Sequence, residues 1–215
     1  MKTGILFDLD GTLLDTLDDL TDGTNFALGR YSCPPRTREE VRRFVGNGAE
    51  RLIRLALPGK PGDPDAADVL GVFRTYYNAH CLDKTRPYPG IREALARLPY
   101  PLAIVSNKPD SAVKPLCARF FPGIPACGET ADCLRKPAPD MLYRAMRELG
   151  VERCIYVGDS EVDISTAKNA GVPCLSVLWG FRDKGTLVQA GARVFCEDPS
   201  ELPAAVEKME REYGK

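Results

Sequence analysis

The 215-residue sequence predicts an α/β protein in which helices cover both faces of a parallel sheet. Four short apolar runs, at 4–7, 102–106, 154–157 and 172–177, lack the alternation of a strand that has one exposed face. Helical patterns separate the last three runs, and a long stretch with helical patterns alone follows the first. We therefore expect one core domain that carries an all-helical insert.

The helices of the core follow from amphipathic patterns between the apolar runs. These patterns lie at 91–98, 111–120, 139–149 and 163–170. The last one stops at Gly171, and glycine is the residue that most often ends a helix. Because strands and helices alternate along the chain, the strands are expected to run parallel.

The insert is expected to contain helices and no strand. Residues 37–40 have the spacing of a capping box that opens a helix, and glycines in 46–48 interrupt the pattern before it resumes. We place the core domain at 1–14 and 87–215, and the helical cap domain at 15–86.

Charge and hydropathy exclude some classes of partner. The formal net charge is −1, so no global field attracts nucleic acid or an anionic membrane. No apolar stretch approaches the roughly 20 residues that span a bilayer. We expect a cytoplasmic protein that binds neither nucleic acid nor membrane; its oligomeric state stays open.

Cysteine and histidine usage narrows the chemistry further. The eight cysteines are scattered without a Cys-x-x-Cys pair, which indicates free thiols. The single histidine, His80, lies in a helical pattern and is expected to be partly buried on a helix face. Histidine-dependent nucleophilic catalysis and histidine-based zinc sites are therefore disfavoured.

The strongest chemical signal is the string from Asp8 to Thr12, at the end of the first apolar run. Asp8 and Asp10 are two residues apart, so in an extended chain their side chains point to the same face. Two close carboxylates repel, which raises one pKa and lets one group stay ionised while the other holds a proton. This arrangement suits phosphoryl transfer, with Asp8 as nucleophile and Asp10 as general acid and base.

A second acidic cluster follows the third apolar run. Asp159 and Asp163 are expected at a carboxyl edge of the sheet, where open α/β sheets bind ligands. Such oxygen ligands suit Mg²⁺. Asp159 is the expected direct ligand, and Asp163 also has the position of a helix N-terminal acid that the helix dipole favours.

Phosphate groups are expected to bind at Gly11, Thr12, Ser106, Asn107 and Lys136. The Ser-Asn pair ends another apolar run and offers hydroxyl and amide donors, although such pairs also occur in ordinary turns. The lysine precedes a helix, where its charge could neutralise carboxylates and the transferring phosphoryl group.

In this order, the Asp-Leu-Asp-Gly-Thr string, Ser106-Asn107, Lys136-Pro137 and the cluster from Gly158 to Asp163 resemble the four motifs of the haloacid dehalogenase-like superfamily. The resemblance spans nearly the whole chain. It implies a Rossmann-like, three-layer core with the first strand at its centre, and a cap that closes over the site.

The resemblance also implies a role for each acidic residue. Asp8 would be nucleophile and Mg²⁺ ligand, and Asp10 would be general acid and base with its main-chain carbonyl on the metal. Asp159 would bind the metal directly, and Asp163 would support the metal waters. Lys136 would pair with Asp8 and hold the phosphoryl group together with Ser106.

Within the superfamily, the stretches at 45–49, 86–90, 106–109 and 178–181 most resemble those of phosphoglycolate phosphatases. An aspartate at position 10 favours phosphoryl chemistry over dehalogenation. The cap is expected to set specificity, because Gly46, Asn47 and Gly48 would bring backbone donors near the substrate and Arg51 would meet a substrate carboxylate. We thus expect a Mg²⁺-dependent phosphatase of a small phosphate ester.

Three alternatives remain open at this point. A sugar-phosphate mutase of the same family would return the phosphoryl group to its substrate, and a pyrophosphatase would use the same fold. A non-catalytic phosphate-binding module is the third, although a receiver domain would explain neither the second aspartate nor the helical insert.

Overall fold

The computed structural model describes residues 2–213 of the chain. Its strands are β1 (Thr3–Phe7), β2 (Leu14–Asp15), β3 (Arg86–Pro87), β4 (Leu102–Pro109), β5 (Ala126–Glu129), β6 (Arg153–Gly158), β7 (Cys174–Val177) and β8 (Val194–Cys196). Its helices are α1 (Leu17–Arg30), α2 (Arg38–Phe44), α3 (Gly48–Ala56), α4 (Ala66–His80), α5 (Ile91–Ala96), α6 (Asp110–Phe120), α7 (Asp140–Leu149), α8 (Glu161–Ala170), α9 (Lys184–Gln189) and α10 (Leu202–Tyr213).

Six strands form one parallel sheet in the order β5-β4-β1-β6-β7-β8. The first strand therefore lies inside the sheet, where Phe7 aligns with Ile104 of β4 and with Val157 of β6. The predicted α/β fold with a parallel sheet is confirmed.

Burial on both faces of β1 explains its continuous apolar sequence. Ile5 and Phe7 belong to one hydrophobic cluster, which also contains Leu116 of α6. Leu6, between them, belongs to the opposite cluster together with Leu142 of α7. Because successive side chains of a strand point to opposite faces, one short strand contributes to both layers of helix packing.

The sheet is larger than the apolar runs predict. Strands β5 and β8 extend its two edges, and helices α9 and α10 cover the C-terminal part of the chain. These edge strands have three or four residues, and β5 includes Gly128. Such short segments give little periodic signal, and glycine is depleted in strands.

The four helices α1 to α4 lie between β2 and β3, and we call them the helical segment. The predicted capping box is present, since Thr37 Oγ1 accepts from Glu40 N and Thr37 N donates to Glu40 Oε2 at 2.7 Å. The two short strands pair antiparallel where the helical segment joins the core. The sequence did not predict this ladder, because strands of two residues carry no periodicity.

The single histidine and the cysteines have the surroundings that the sequence predicts. His80 stacks on Tyr76 with its side chain 45% exposed, in agreement with partial burial on a helix face. All eight cysteines are free thiols. Over residues 2–213, no helix combines the length and the apolar character needed to cross a membrane.

Candidate active site at the carboxyl edge of the sheet

The carboxyl edge of the three central strands brings the predicted polar residues together. Asp8 directly follows β1, and Asp10 lies two residues further on. Asp159 directly follows β6, while Ser106 and Asn107 lie in the second half of β4. Because β4, β1 and β6 are parallel neighbours, these residues share one edge of the sheet.

Lys136 connects two of the acidic residues from the loop before α7. Its Nζ atom donates to Asp8 Oδ1 at 2.7 Å, to Asp163 Oδ1 at 2.8 Å and to Tyr156 OH at 2.9 Å. The Lys136 residue is only 3% exposed. Its ammonium group thus has a polar partner for each of its three protons, away from solvent.

Tyr156 is a member of this network that was not predicted from the sequence. It lies in the apolar run that forms β6, and its ring packs in the buried cluster around Leu6. Its hydroxyl accepts from Lys136 and donates to Asp163 Oδ1 at 2.9 Å. The available signal was the tyrosine itself, because a phenol in a fully buried strand needs a hydrogen-bond partner.

Asp163 serves both the network and the start of α8. Its Oδ2 atom accepts from Ser160 N at 3.1 Å and from Ser160 Oγ at 2.6 Å, which forms a capping box. Its Oδ1 atom is bound by Lys136 and Tyr156. Asp163 therefore combines the predicted helix-terminal position with contacts to the lysine and the tyrosine of the network.

Asp159 is oriented by two donors. Thr12 Oγ1 donates to its Oδ1 at 3.2 Å, and Phe181 N donates to its Oδ2 at 2.7 Å. Gly11 has a positive φ of 85°, and a Cβ there would lie 2.3 Å from Asp159 Oδ2. The structure thus places the hydroxyl of the fully buried Thr12 on Asp159, which differs from the predicted use of this residue for phosphate.

Burial perturbs the acidity of the carboxyl groups. Desolvation raises the pKa of Asp8 well above its usual value, although the charge of Lys136 opposes this shift. Desolvation and the charge of Asp163 raise the pKa of Asp159 to about 7. Burial also acts to raise the pKa of Asp163, but Lys136, Ser160 and Tyr156 outweigh it and lower the pKa overall.

The same carboxylates fit a divalent metal ion. Oxygen atoms of Asp8, Asp159 and Asp163 lie within 4.8 Å of one another. When ionised, these three groups together with the ammonium of Lys136 carry an excess of two negative charges in a buried space. Hard oxygen ligands and this charge match Mg²⁺, and a bound cation would oppose the desolvation and the repulsion that raise the pKa values of Asp8 and Asp159.

The two predicted donors of β4 differ in their surroundings. Ser106 Oγ accepts from Lys108 N at 3.2 Å, and the side chain lines the cavity next to Asp8. The Asn107 side chain instead binds the backbone of Lys136, accepting from its N at 2.8 Å and donating to its O at 2.9 Å. Asn107 therefore orients the loop that carries Lys136.

The predicted cap residues are only partly brought to the cavity. Gly46 and Gly48 line it with φ values of 124° and 82°, a backbone conformation that glycine adopts without strain. Asn47, between them, is the N-cap of α3 and is not among the cavity-lining residues. The expectation for Arg51 is corrected, because α3 buries Leu52 on its inner face and leaves Arg51 exposed, away from the cavity lining.

A second buried lysine, Lys108, contacts Asp10 and was not predicted as a site residue. Its Nζ atom lies 3.0 Å from Asp10 Oδ1 and donates to Tyr77 OH at 2.7 Å. Tyr77 belongs to α4, so this contact joins the core to the helical segment. Lys108 directly follows the predicted Ser-Asn pair, and that adjacency was the sequence signal for it.

Arg182 forms another connection between the core and the helical segment. It pairs with Glu161 Oε2 at 2.9 Å through Nε and donates to the carbonyl oxygens of Arg42 at 2.9 Å and Val45 at 2.6 Å. These carbonyls lie at the end of α2, where backbone acceptors have no partner within the helix.

A cavity with an interior volume of about 60 Å³ lies between the carboxyl edge and the helical segment. The core contributes Asp8, Asp10, Asp159 and both lysines to its wall. The helical segment contributes mainly apolar side chains, including Leu20, Leu52 and Phe73, together with Arg74, Tyr77 and Asn78. The core side of the cavity, which we call its floor, is polar, and the side formed by the helical segment, which we call its roof, is mainly apolar. This distribution suits a small ligand with one strongly charged end.

Comparison with known proteins agrees with this geometry. Residues 5–177 match the family model described as haloacid dehalogenase-like hydrolase. A phosphoglycolate phosphatase of Mesorhizobium japonicum is 37% identical over 193 residues, which cover 84% of each chain. Phosphoglycolate phosphatase 1 of Pseudomonas aeruginosa is 36% identical over 82% of this chain and 70% of the relative.

Solved structures show the same fold. A protein from Lactobacillus delbrueckii subsp. bulgaricus, provisionally described as a phosphoglycolate phosphatase, superposes with a TM-score of 0.88 and 36% identity, covering 96% of this chain and 99% of the other. CbbY from Rhodobacter sphaeroides, solved in complex with phosphate, has a TM-score of 0.77 and 26% identity over 96% of this chain and all of the other. The chain belongs to the haloacid dehalogenase-like hydrolase family.

Proposed function

We propose that the protein is a Mg²⁺-dependent phosphatase that hydrolyses a small phosphate monoester through a phosphorylated Asp8. The observation that carries this proposal is the buried Lys136, which bridges Asp8 and Asp163 beside Asp159. A structural ion pair would need no third carboxylate next to it, whereas phosphoryl transfer needs a nucleophile, cationic groups and a metal site in one place.

Asp8 is the nucleophile in this proposal. Its Oδ1 atom is held by Lys136 at 2.7 Å, so the carboxylate has a fixed orientation before substrate binds. Attack on phosphorus forms a P–O bond to Asp8 and breaks the bond to the ester oxygen. Lys136, which is itself bound by Asp163, holds the attacking group in place throughout.

Asp10 is proposed as the general acid and base. It lines the cavity two residues after Asp8, on the side of the helical segment. In the first step it donates a proton to the leaving ester oxygen. In the second step it takes a proton from the water that attacks phospho-Asp8, which releases inorganic phosphate.

The phosphoryl oxygens are proposed to bind at the Ser106 hydroxyl, with the charge of Lys136 beside them to neutralise them. Gly11 contributes through its backbone conformation, because its N–H already donates to Leu14 O at 2.9 Å. Ser106 lines the cavity beside Asp8, and its hydroxyl proton is available to a ligand. Asn107 and Thr12 contribute indirectly, through the backbone of Lys136 and the carboxylate of Asp159.

Asp8, Asp159 and the main-chain carbonyl of Asp10 would hold Mg²⁺, with Asp163 beside them. The bound metal would neutralise charge between Asp8 and the phosphate. Around it, the donors Thr12 and Phe181 N keep Asp159 turned towards the site.

For the substrate, we propose phosphoglycolate, because the relatives from Mesorhizobium japonicum and Pseudomonas aeruginosa are named as phosphatases of this compound. We further propose that residues 15–86 act as a cap over the leaving group, on a core of residues 1–14 and 87–215. The cytoplasmic location and the absence of a nucleic-acid partner stay predictions.

Phosphate release from phosphoglycolate, hexose phosphates, nucleotides and pyrophosphate tests the proposal. Release is expected with Mg²⁺, none with EDTA, and a loss of about 10³-fold or more for Asp8→Asn. Asp132→Asn is the matched control, because Asp132 is an exposed acid whose ion-pair partner is Arg144, and neither residue lines the cavity. Turnover of a sugar phosphate without phosphate release would identify a mutase, and preference for pyrophosphate would identify a pyrophosphatase.

A further inference from the structure

Lys108 is a buried cation that the proposed phosphoryl chemistry does not use. The residue is 6% exposed, and its Nζ atom contacts Asp10 Oδ1 at 3.0 Å and Tyr77 OH at 2.7 Å. A buried ammonium is costly unless its protons are satisfied, so its position beside the cavity calls for a function.

The other cations of the cavity floor are already committed. Lys136 has three polar partners, and Arg182 binds Glu161 and two carbonyl oxygens of the helical segment. Lys108 contacts one carboxylate and one neutral hydroxyl, which leaves one of its three protons for a ligand in the cavity.

We propose that Lys108 binds a carboxylate of the substrate that is attached to the carbon next to the ester oxygen, and that Tyr77 is the residue that positions Lys108. This inference rests on the proposed phosphatase function. It defines the substrate class as phosphate monoesters of small 2-hydroxy carboxylic acids.

The distances agree with such a substrate. Asp10 must lie within about 3 Å of the ester oxygen to protonate it. Lys108 Nζ is 3.0 Å from Asp10 Oδ1, so the ammonium lies at most about 6 Å from the ester oxygen when this carboxyl oxygen carries the proton. A carboxylate one carbon away from that oxygen fits between them, in hydrogen-bond contact with the ammonium.

The surroundings strengthen this contact. Tyr77 stacks on Phe73 with ring centroids 5.3 Å apart and an interplanar angle of 9°, so its hydroxyl has a fixed position. The apolar side chains of the cavity roof exclude water, and a charge-assisted hydrogen bond is stronger in such surroundings than in water.

Binding of two inert phosphonates to the Mg²⁺-loaded protein, measured by calorimetry, tests the inference without any proton transfer. 3-Phosphonopropionate has the carboxylate at the required position, and propylphosphonate has a methyl group instead. The wild type is expected to prefer the carboxylated ligand by about 10- to 100-fold, and Lys108→Met is expected to remove this preference while affinity for propylphosphonate changes less than about 3-fold. Lys208→Met, an exposed lysine on α10, is the matched control.

Tyr77→Phe removes a single oxygen and keeps the stacked ring, so it also tests the inference where Lys108→Met folds poorly. We expect a loss of about 3- to 10-fold in affinity for the carboxylated ligand alone, and a higher KM for phosphoglycolate with an unchanged KM for ethyl phosphate. Tyr77→Trp, which lacks the hydroxyl, is expected not to restore the preference.

Three results would overturn the inference. The first is equal affinity of the wild type for the two phosphonates, and the second is an equal loss of affinity for both phosphonates in Lys108→Met. The third is a loss of the preference in Arg74→Met and not in Lys108→Met, which would place the carboxylate at the exposed guanidinium of Arg74 at the edge of the cavity. A wild type that hydrolyses neutral esters but lacks the preference refutes only this inference. A wild type that releases no phosphate from any ester refutes the proposed function itself.

Discussion

Replacing Lys136 by methionine is expected to destabilise the metal-free protein, because it leaves buried carboxylates without their cation. Methionine keeps an unbranched side chain and removes the charge that Asp8 and Asp163 contact at 2.7 and 2.8 Å. Removing one partner of a buried ion pair costs about 3–5 kcal/mol.

The lower end of this range applies here. Burial already raises the pKa of Asp8, so in the variant this carboxyl group takes up a proton and part of the repulsion disappears. We therefore expect a loss of about 3 kcal/mol in the free energy of unfolding. For a chain of this size, that loss lowers Tm by about 6–12 °C.

The companion variant Asp8→Asn is expected to have the opposite effect. It removes one of the excess buried negative charges and keeps an oxygen that accepts from Lys136, so it stabilises the metal-free protein by about 1 kcal/mol. In this background, Lys136→Met should cost about half as much as in the wild type. The coupling between the two residues is then at least about 1 kcal/mol.

Urea unfolding of the four proteins in EDTA measures this cycle, with the exposed Lys208→Met as a control for loss of a lysine. Coincident fluorescence and circular dichroism transitions would establish that two-state analysis applies. Additive effects of the two changes, within about 0.5 kcal/mol, would refute the reasoning, because they would mean that the Lys136–Asp8 contact contributes no pairwise energy.

Three further expectations concern neighbouring residues. Tyr156→Phe removes one acceptor of Lys136 and one donor of Asp163, and we expect a fall of about 10-fold in kcat with little change in KM, measured by phosphate release. Gly11→Ala places a methyl group against Asp159 at a positive φ, so Mg²⁺ should no longer raise Tm in a thermal melt. Arg182→Met removes two hydrogen bonds to the end of α2, and amide hydrogen exchange in residues 42–46 should accelerate while Tm changes little.

The sequence predicted the location of a residue wherever that location follows from the strand that precedes the residue. Asp8 and Asp159 each follow a fully buried apolar run, and the carboxyl ends of parallel neighbours must meet. The helical segment was also predictable, because a capping box and helical periodicity are local signals.

Roles that depend on contacts between distant segments could not be predicted in the same way. Tyr156 had the pattern of a core residue, and only the loop before α7 shows that its hydroxyl meets Lys136, 20 residues away. Arg51 was predicted to face the substrate from its position in the chain alone. In the structure, α3 buries Leu52, and this orientation of the helix leaves the side chain of Arg51 exposed to solvent. Position in the chain predicts the edge at which a residue lies, but the packing of the helical segment decides which side chains face the cavity.

Each of the two motif aspartates has its own buried lysine, and each lysine is held by a tyrosine hydroxyl. Lys136 is held by Tyr156, which belongs to a central strand, so this bond does not depend on the helical segment. Lys108 is held by Tyr77 of α4, so displacement of α4 would break that bond and leave the first pair intact. The lysine contact of the proposed nucleophile is therefore made within the core, whereas the lysine contact of the proposed general acid is complete only when the helical segment is seated against the core.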